Sequence, residues 1–198
     1  MGYGSKIKDV LRAERDAIDA LIKSDYDLEP AVAMLAACRG RIVWMGVGKS
    51  GHIGAKLAAT FASLGVPSIF VHATEAMHGD LGMIGADDIA VLISNSGSTQ
   101  EVVQCVTPLA RLGVTTVAFT SVRDSALARA CDGLILQPHL GEADTNGLAP
   151  TVSSTLTLAL GDAIACALSA ERGWTREQFY RYHPNGALGK LLSGEQQK

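Results

Sequence analysis

The chain has 198 residues and a formal net charge of −3, which fits one domain and argues against nucleic acid as a partner, because such a partner calls for a basic excess. Hydrophobic residues make up 47% of the chain and aromatic residues only 5%, so we expect a core of aliphatic side chains. The best membrane candidate, Leu156–Ala170, is interrupted by Asp162 and is shorter than the about 20 residues that a spanning helix needs, which predicts a soluble protein.

The N-terminus and the cysteines predict a cytoplasmic location. Met1–Lys8 lacks the apolar segment of a secretory signal. The cysteines stand in apolar or helical contexts without metal-type spacing, which favours buried free thiols in a reducing compartment. They are Cys38, Cys105, Cys131 and Cys166.

The first 40 residues predict two helices that stand apart from the pattern of the rest. Ser5–Lys23 places its apolar residues on one helical face, and Leu28–Cys38 is a second helix that Gly40 ends. These helices can cover the chain's own sheet or a partner subunit, and the pattern does not choose between the two.

From residue 41 onward, short apolar runs alternate with helical segments. This alternation predicts an α/β fold with a parallel sheet and right-handed crossovers. Ligands of such sheets gather at the carboxyl ends of the strands, so Gly46–Gly51 and Ser94–Thr99 are expected at one edge. The predicted strands are Ile42–Met45, Ser68–His72, Ile89–Ile93, Val114–Phe119 and Leu134–Leu136, and the predicted helices are Ala55–Ala62, Thr99–Leu112, Ser125–Ala130 and a long one from near Thr151.

The glycine-rich segment after the first strand predicts an anion-binding turn. Gly46, Gly48 and Gly51 permit positive φ and close approach of a ligand, and the free N–H groups of the following helix point at the turn. Lys49 opposes the helix dipole there, so we expect it to face a bound anion or a developing negative charge. The P-loop pattern fails, because Val43 stands where that pattern needs a glycine.

The same glycines also fit the dinucleotide fingerprint, with Glu75 near the position of a ribose-binding acid. A dinucleotide would not need a second cluster of hydroxyls, yet four of them surround Gly97 at the start of a predicted helix. Hydroxyls and free amides together satisfy the acceptor oxygens of a phosphate, and Ser50 adds another hydroxyl. The pattern therefore favours a small phosphorylated metabolite. The four residues are Ser94, Ser96, Ser98 and Thr99.

Several other polar residues have both a functional and an ordinary interpretation. Ser98-x-x-Glu101 is a capping box, so for Glu101 a cap and a catalytic role both stay open. Glu142 can also be interpreted as a solvated loop carboxylate without a catalytic role. His183, which precedes Pro184, can likewise be interpreted as an ordinary surface histidine. The spacing of His52, His72 and His78 matches no metal-ligand motif.

Five motifs between Arg41 and Leu192 together resemble one family, the sugar isomerase (SIS) domain, and within it the arabinose-5-phosphate isomerases of KDO biosynthesis. They are Gly46-Val-Gly-Lys-Ser-Gly51, His78-Gly-Asp-Leu-Gly82, Ser94-Asn-Ser-Gly-Ser-Thr99, Gly147-Leu-Ala-Pro-Thr151 and His183-Pro-Asn-Gly-Ala-Leu-Gly189.

The resemblance implies a three-layer α-β-α sandwich of flavodoxin-like type with a five-stranded parallel sheet, built as one domain. Residues 1–40 would form N-terminal helices, residues 41–192 the phosphosugar-binding core and residues 193–198 a mobile tail. It also implies a cytoplasmic homotetramer with shared active sites, no cofactor and no required metal. Enzymes of this kind usually carry a pair of CBS domains after the SIS domain, so we expect either a truncated chain or a short SIS-only form.

The resemblance further implies interconversion of D-ribulose 5-phosphate and D-arabinose 5-phosphate through an enediolate. Another phosphosugar isomerase and a non-catalytic sugar-phosphate-sensing module are the alternatives. The implied catalytic residues are Lys49, Glu101, Glu142 and His183. The implied substrate-binding residues are Gly48, Ser50, His72, His78, Ser94, Asn95, Ser96 and Thr99, with His72 as a position for an inhibitory zinc ion.

An isomerase of this type needs a carboxylate that shuttles a proton, preferably one made more basic by partial burial. We favour Glu142 for this role and expect Glu101 to position hydroxyls or Lys49. Lys49 would stabilise the enediolate oxygen, and His183 would assist ring opening. The segment 143–146 departs from the cysteine- and proline-bearing form of the family, which leaves its loop geometry open.

Overall fold

The computed structural model describes residues 2–183 and contains a five-stranded sheet in which every pairing is parallel. The strands are β1 (Ile42–Gly46), β2 (Ser68–His72), β3 (Ile89–Ile93), β4 (Thr115–Thr120) and β5 (Gly133–Leu136), in the order β2-β1-β3-β4-β5. The helices are α1 (Tyr3–Ile22), α2 (Glu29–Ala36), α3 (Gly48–Ser63), α4 (Ala73–Ala76), α5 (Gln100–Val103), α6 (Val106–Arg111), α7 (Ala126–Ala130), α8 (Val152–Glu171) and α9 (Arg176–Tyr182).

Helices cover both faces of this sheet, which confirms the predicted three-layer α/β architecture. The strands β1 and β3 are buried along their whole length, and alternate residues enter two separate cores. Trp44 belongs to the core under α2, α3 and α8, while its neighbour Met45 belongs to the core under α4 to α7. Continuous apolar runs without polar alternation are therefore what this sheet requires.

The strand order reverses between β1 and β3, because β2 lies on one side of β1 and β4 lies beyond β3. Ligands bind at such a switch point in open α/β sheets. Met45 pairs with Leu92 close to the ends of the two strands. The segments that follow β1 and β3 thus begin side by side, as predicted.

The glycine-rich segment is mostly helix rather than turn. α3 begins at Gly48 instead of Ala55, and Gly48 itself has a φ of 55°. A Cβ on Gly51 would lie 3.1 Å from the carbonyl oxygen of Gly46, and a Cβ on Gly46 would lie 3.1 Å from the Gly51 nitrogen. Gly46 and Gly51 therefore allow α3 to pack closely on the end of β1, and the close approach that they permit is within the protein.

The single helix predicted over Thr99–Leu112 is two helices, α5 and α6. Pro108 lies within α6 and has no N–H to donate to the carbonyl group four residues earlier, which interrupts a continuous helical ladder. The other predicted strands and helices of the sheet region agree with the structure to within one or two residues.

By length and composition, α8 is long and apolar enough to cross a membrane. More than half of its most apolar stretch, however, is buried within the domain. It packs against α1 and α3, as a core helix does. Both carboxylate oxygens of Asp162 in this helix lie 2.5 Å from Lys56 Nζ on α3.

The four cysteines are free, but they are not all buried as predicted. Cys105 is buried and Cys166 is exposed. Burial raises the pKa of the Cys105 thiol to about 11.

Candidate active site

A cavity of about 260 Å³ lies at the carboxyl ends of β1 and β3. A cavity of this size suits a small metabolite better than a dinucleotide. It brings together six residues that the sequence singled out, from three separate parts of the chain. The lining residues are Lys49, Ser50, Ile53, Asn95, Ser96, Thr99, Glu142, Leu148, Pro150, Ser153, Ser154 and Thr157.

The first wall of the cavity is the N-terminus of α3. The first intrahelical bond there runs from Gly51 N–H to Val47 O, which leaves the amides of Gly48, Lys49 and Ser50 without an acceptor in the helix. Val47 provides no side-chain cap. Free amides and the helix dipole make this end attractive to an anion. The Lys49 side chain is exposed and forms no ion pair with another residue in 2–183.

The second wall is the hydroxyl-rich segment after β3, and its four hydroxyls do not have equal roles. Ser96 and Thr99 line the cavity, whereas Ser94 is buried and its Oγ lies 2.8 Å from Thr99 Oγ1. Ser94 therefore orients the Thr99 hydroxyl from behind and does not itself line the cavity. Ser98 Oγ lies 2.9 Å from Ser96 Oγ, and Thr99 is the N-cap of α5 without a side-chain cap bond. The predicted capping box of Ser98 and Glu101 is not formed.

Gly97 gives this segment its shape. Its φ is 61°, and a Cβ there would collide with the side chain of Ser125. Its carbonyl oxygen accepts a 2.9 Å hydrogen bond from Leu127 N–H in α7. The segment is thus held from behind by the chain that follows β4.

The third wall is the loop before α8, which carries Glu142. The Oε2 atom of Glu142 accepts hydrogen bonds from Thr151 N–H at 2.8 Å, Ser153 N–H at 3.2 Å and the Thr151 hydroxyl at 3.2 Å. The carboxylate therefore caps the N-terminus of α8, where a negative charge is stabilised.

These hydrogen bonds shift the pKa of Glu142 downward, whereas partial burial was expected to raise it. Partial burial by itself raises the pKa of Glu142, but the hydrogen bonds from Ser153 and Thr151 outweigh it and lower the pKa below the usual value of a glutamate. Glu142 is consequently an ionised carboxylate at neutral pH and not an unusually basic one.

Asp144 holds together the turn at segment 143–146, which departs from the usual sequence of the family. Its Oδ1 accepts N–H groups from Leu148 and Ala149, each at 2.7 Å, and its Oδ2 accepts Asn146 N–H at 3.0 Å. The turn presents Leu148 and Pro150 to the cavity.

Gln137, Ser153 and Thr157 were not assigned to the site from the sequence. Gln137 is fully buried directly after β5 and joins Asn95 to α8. The available signal was its position, because it follows a strand at the edge where the other site segments begin.

Besides Ser94, four predicted residues lie at this edge but do not line the cavity. Gly48 contributes its backbone amide at the start of α3 but has no side chain to line the cavity, and Glu101 is exposed on α5. His72 ends β2, paired with Gly46, and its buried Nδ1 has no hydrogen-bond partner among residues 2–183. His78 is exposed after α4. Within the described part of the chain, no three His, Cys, Asp or Glu side chains come together as a metal site.

His183 lies far from the cavity of its own chain. Its ring stacks on Phe179, with ring centroids 4.0 Å apart. The adjacent Tyr182 packs on Trp174, which in turn covers Gly65 at the far end of α3. α8 starts at the cavity and its 20 residues span about 30 Å before Trp174. The rest of the predicted motif, 184–189, lies outside the described residues.

Comparison with known proteins places these features in context. The profile of one family, described as the SIS domain, matches residues 34–167. Arabinose 5-phosphate isomerase KdsD of Pseudomonas aeruginosa is 50% identical over 181 residues, which cover 90% of this chain and 55% of that protein. KdsD of Escherichia coli K12 is 47% identical over 188 residues, covering 93% of this chain and 57% of that protein.

The chain thus spans about half the length of these curated relatives. A solved structure from Escherichia coli CFT073, in complex with arabinose 5-phosphate, matches 93% of this chain and 100% of its own chain, with a TM-score of 0.90 and 45% identity.

Proposed function

The chain belongs to the SIS-domain family, and from this we propose that it is an aldose–ketose isomerase that interconverts D-ribulose 5-phosphate and D-arabinose 5-phosphate. The observation that carries the proposal is the similarity of nine-tenths of the chain to arabinose 5-phosphate isomerases. We further propose that the enzyme acts in the cytoplasm and supplies arabinose 5-phosphate for the synthesis of KDO and lipopolysaccharide.

Phosphate binding is assigned to the two walls that carry free amides and hydroxyls. The N-terminus of α3 offers Ser50 together with the unpaired amides of its first turn. The opposite wall offers Ser96 and Thr99. A phosphate held between them would receive donors from both sides, as its many acceptor oxygens require.

The proton transfer is assigned to Glu142. Isomerisation removes a proton from the carbon beside the carbonyl group and returns it to the neighbouring carbon. Glu142 lines the cavity whereas Glu101 does not. All hydrogen bonds that Glu142 accepts from residues 2–183 go to Oε2, which leaves Oε1 to take the proton. Lys49, on the facing wall, would stabilise the enediolate oxygen in place of a metal ion.

Ring opening is assigned to His183 of a neighbouring subunit within a homotetramer. His183 lies at the end of its own domain opposite to the cavity. α1 also leaves an apolar stripe uncovered by the described residues, with Tyr3 89%, Ile7 60% and Leu11 59% exposed. A contiguous apolar stripe of this kind marks a partner surface.

A panel of phosphorylated sugars tests the proposed reaction. Binding and isomerisation should both be measured for pentose 5-phosphates and hexose 6-phosphates. We expect turnover of arabinose 5-phosphate and ribulose 5-phosphate, with kcat/KM for hexose phosphates lower by at least about tenfold, because the cavity is small. Turnover of a hexose phosphate alone would reassign the substrate. Binding without any turnover would instead indicate a sugar-phosphate sensor.

Mixing two inactive variants tests the shared site. His183→Ala chains and Glu142→Gln chains should each be inactive, but a reassembled mixture should recover part of the activity, because some cavities then combine an intact Glu142 with an intact His183. The doubly substituted chain mixed with His183→Ala is the matched control and should stay inactive. Absence of recovery in a mixture shown to contain hybrid oligomers would contradict a shared site.

A further inference from the structure

Gln137 connects two walls of the cavity from beneath. Its side chain is fully buried. Its Nε2 lies 3.2 Å from Asn95 Oδ1 and 3.3 Å from the carbonyl oxygen of Ser153, and its Oε1 lies 3.0 Å from Thr157 Oγ1. Asn95 belongs to the hydroxyl-rich wall, while Ser153 and Thr157 belong to the first turns of α8. The side chain is thus bonded on both ends of its amide group.

The backbone of α8 determines which way this amide points. A carbonyl oxygen can only accept, so the Gln137 atom that faces Ser153 must be the amide nitrogen. The same nitrogen faces Asn95, so the Asn95 atom in contact with it must be Oδ1. The Thr157 hydroxyl lies 3.0 Å from the remaining Oε1 and 2.9 Å from the Ser153 carbonyl oxygen. In this orientation its single proton goes to Oε1, while the Gln137 nitrogen donates to Ser153. The opposite orientation of Gln137 would set two acceptors against each other in a buried position, which is costly.

This orientation of Gln137 determines which atom of the Asn95 amide group remains available to the cavity. Because Oδ1 is held by Gln137, the Nδ2 group is the part of the amide that remains available. Nδ2 has no hydrogen bond to another residue of 2–183 and is not among the buried unpaired atoms. The backbone of Asn95 is also fixed, since its carbonyl oxygen accepts hydrogen bonds from the Thr120 and Ser121 hydroxyls at 3.0 and 2.8 Å. The side chain therefore starts from an anchored position.

We propose that Gln137 is a positioning residue that makes Asn95 present N–H donors, and not a carbonyl oxygen, to the phosphate group of the substrate. Asn95 stands between Ser94 and Ser96, in the wall assigned to phosphate. Phosphate oxygens accept hydrogen bonds, so a reversed Asn95 amide would replace an attraction with a repulsion. The inference rests on the proposed function only for the identity of the phosphorylated ligand.

A double-mutant cycle distinguishes positioning from a purely structural role. Gln137→Met removes all three contacts of the amide group at nearly constant volume. It should weaken binding of arabinose 5-phosphate about tenfold, the effect of one lost hydrogen bond to a charged group. Asn95→Ala should have a similar effect. In the Asn95→Ala background, Gln137→Met should add less than about twofold, because the residue it orients is already absent. Calorimetric titration gives the Kd values.

Thr116→Val is the matched control. Thr116 is a buried polar residue at the start of β4, the end of the strand away from the cavity, and it bonds to Asp132. Its loss should lower the melting temperature without changing the Kd. If Gln137→Met weakens binding equally in the wild-type and Asn95→Ala backgrounds, or leaves the Kd unchanged, Gln137 does not act through Asn95 and the inference is wrong.

Asn95→Asp keeps the test decisive if Gln137→Met does not fold. It preserves an oxygen for Gln137 but replaces the Nδ2 donor with a second acceptor, so binding should weaken more than in Asn95→Ala. Unchanged binding would overturn the inference.

Inorganic phosphate, as a second probe, separates the two proposals. Wild-type binding of phosphate but not of arabinose 5-phosphate refutes the substrate assignment, and the cycle is then scored with phosphate. Wild-type binding of neither probe refutes both proposals.

Discussion

Replacing Glu142 with Gln is expected to lower kcat about 100- to 10,000-fold, the range that a general acid–base group contributes. The amide oxygen of the new side chain can still accept the N–H groups of Thr151 and Ser153 that Oε2 accepts in the native chain. The loop and the start of α8 should therefore keep their geometry, and the KM should change little. What is lost is the ability to take up a proton.

Glu101→Gln is the informative comparison, because Glu101 lies outside the cavity on α5. Its kcat should fall by much less than that of Glu142→Gln. The pH dependence gives a second check. Because hydrogen bonds lower the pKa of Glu142, its carboxylate stays ionised to a lower pH than that of an ordinary glutamate. The acid limb of kcat/KM due to this group should therefore lie below the pH at which an ordinary glutamate titrates. A larger loss in Glu101→Gln would assign the shuttle to Glu101.

Replacing Lys49 with Met should lower kcat about 100-fold or more while the KM rises much less. Lys49 lies in the first turn of α3, where the helix dipole disfavours a cation. We expect Lys49 to stabilise the negative charge that develops on the enediolate oxygen. Removal of one such group typically lowers kcat about 100- to 1,000-fold. Steady-state kinetics in both reaction directions measure the effect.

Lys56→Met is the matched control on the same helix. Lys56 pairs with Asp162 of α8 and does not line the cavity, so its loss should affect stability and not kcat. An effect of Lys49→Met confined to the KM would make Lys49 a ground-state phosphate ligand. If Lys49 replaces a metal ion in stabilising the enediolate, activity should survive exhaustive chelation. Restoration of a chelated, inactive enzyme by a divalent ion would contradict this role of Lys49.

The fold was accessible from the sequence because its signals are local. Ser68–His72 and Ile89–Ile93 were predicted with the boundaries that the structure has, since a strand in a covered parallel sheet needs a short apolar run. Strand–helix alternation then restricts the connections to parallel crossovers. For this reason the sequence also indicated the edge of the sheet where Lys49, Ser96 and Thr99 meet.

The roles of individual site residues depended on contacts between distant parts of the chain. Spacing could not distinguish Ser94 from Ser96. Ser94 is buried beside β4, where its N–H bonds to the carbonyl oxygen of Phe119, whereas Ser96 lines the cavity. The basicity of Glu142 was predicted in the wrong direction, because the donors that lower its pKa come from the start of α8.

Gln137 shows the same dependence most clearly. In the sequence it is one polar residue after a strand, and its partners lie on a loop 42 positions earlier and on a helix 16 and 20 positions later. The sequence by itself determined the layers of the fold and the edge that carries the site. Only the tertiary structure decided which polar atoms face the cavity, because the direction of a donor or acceptor depends on partners that folding brings together.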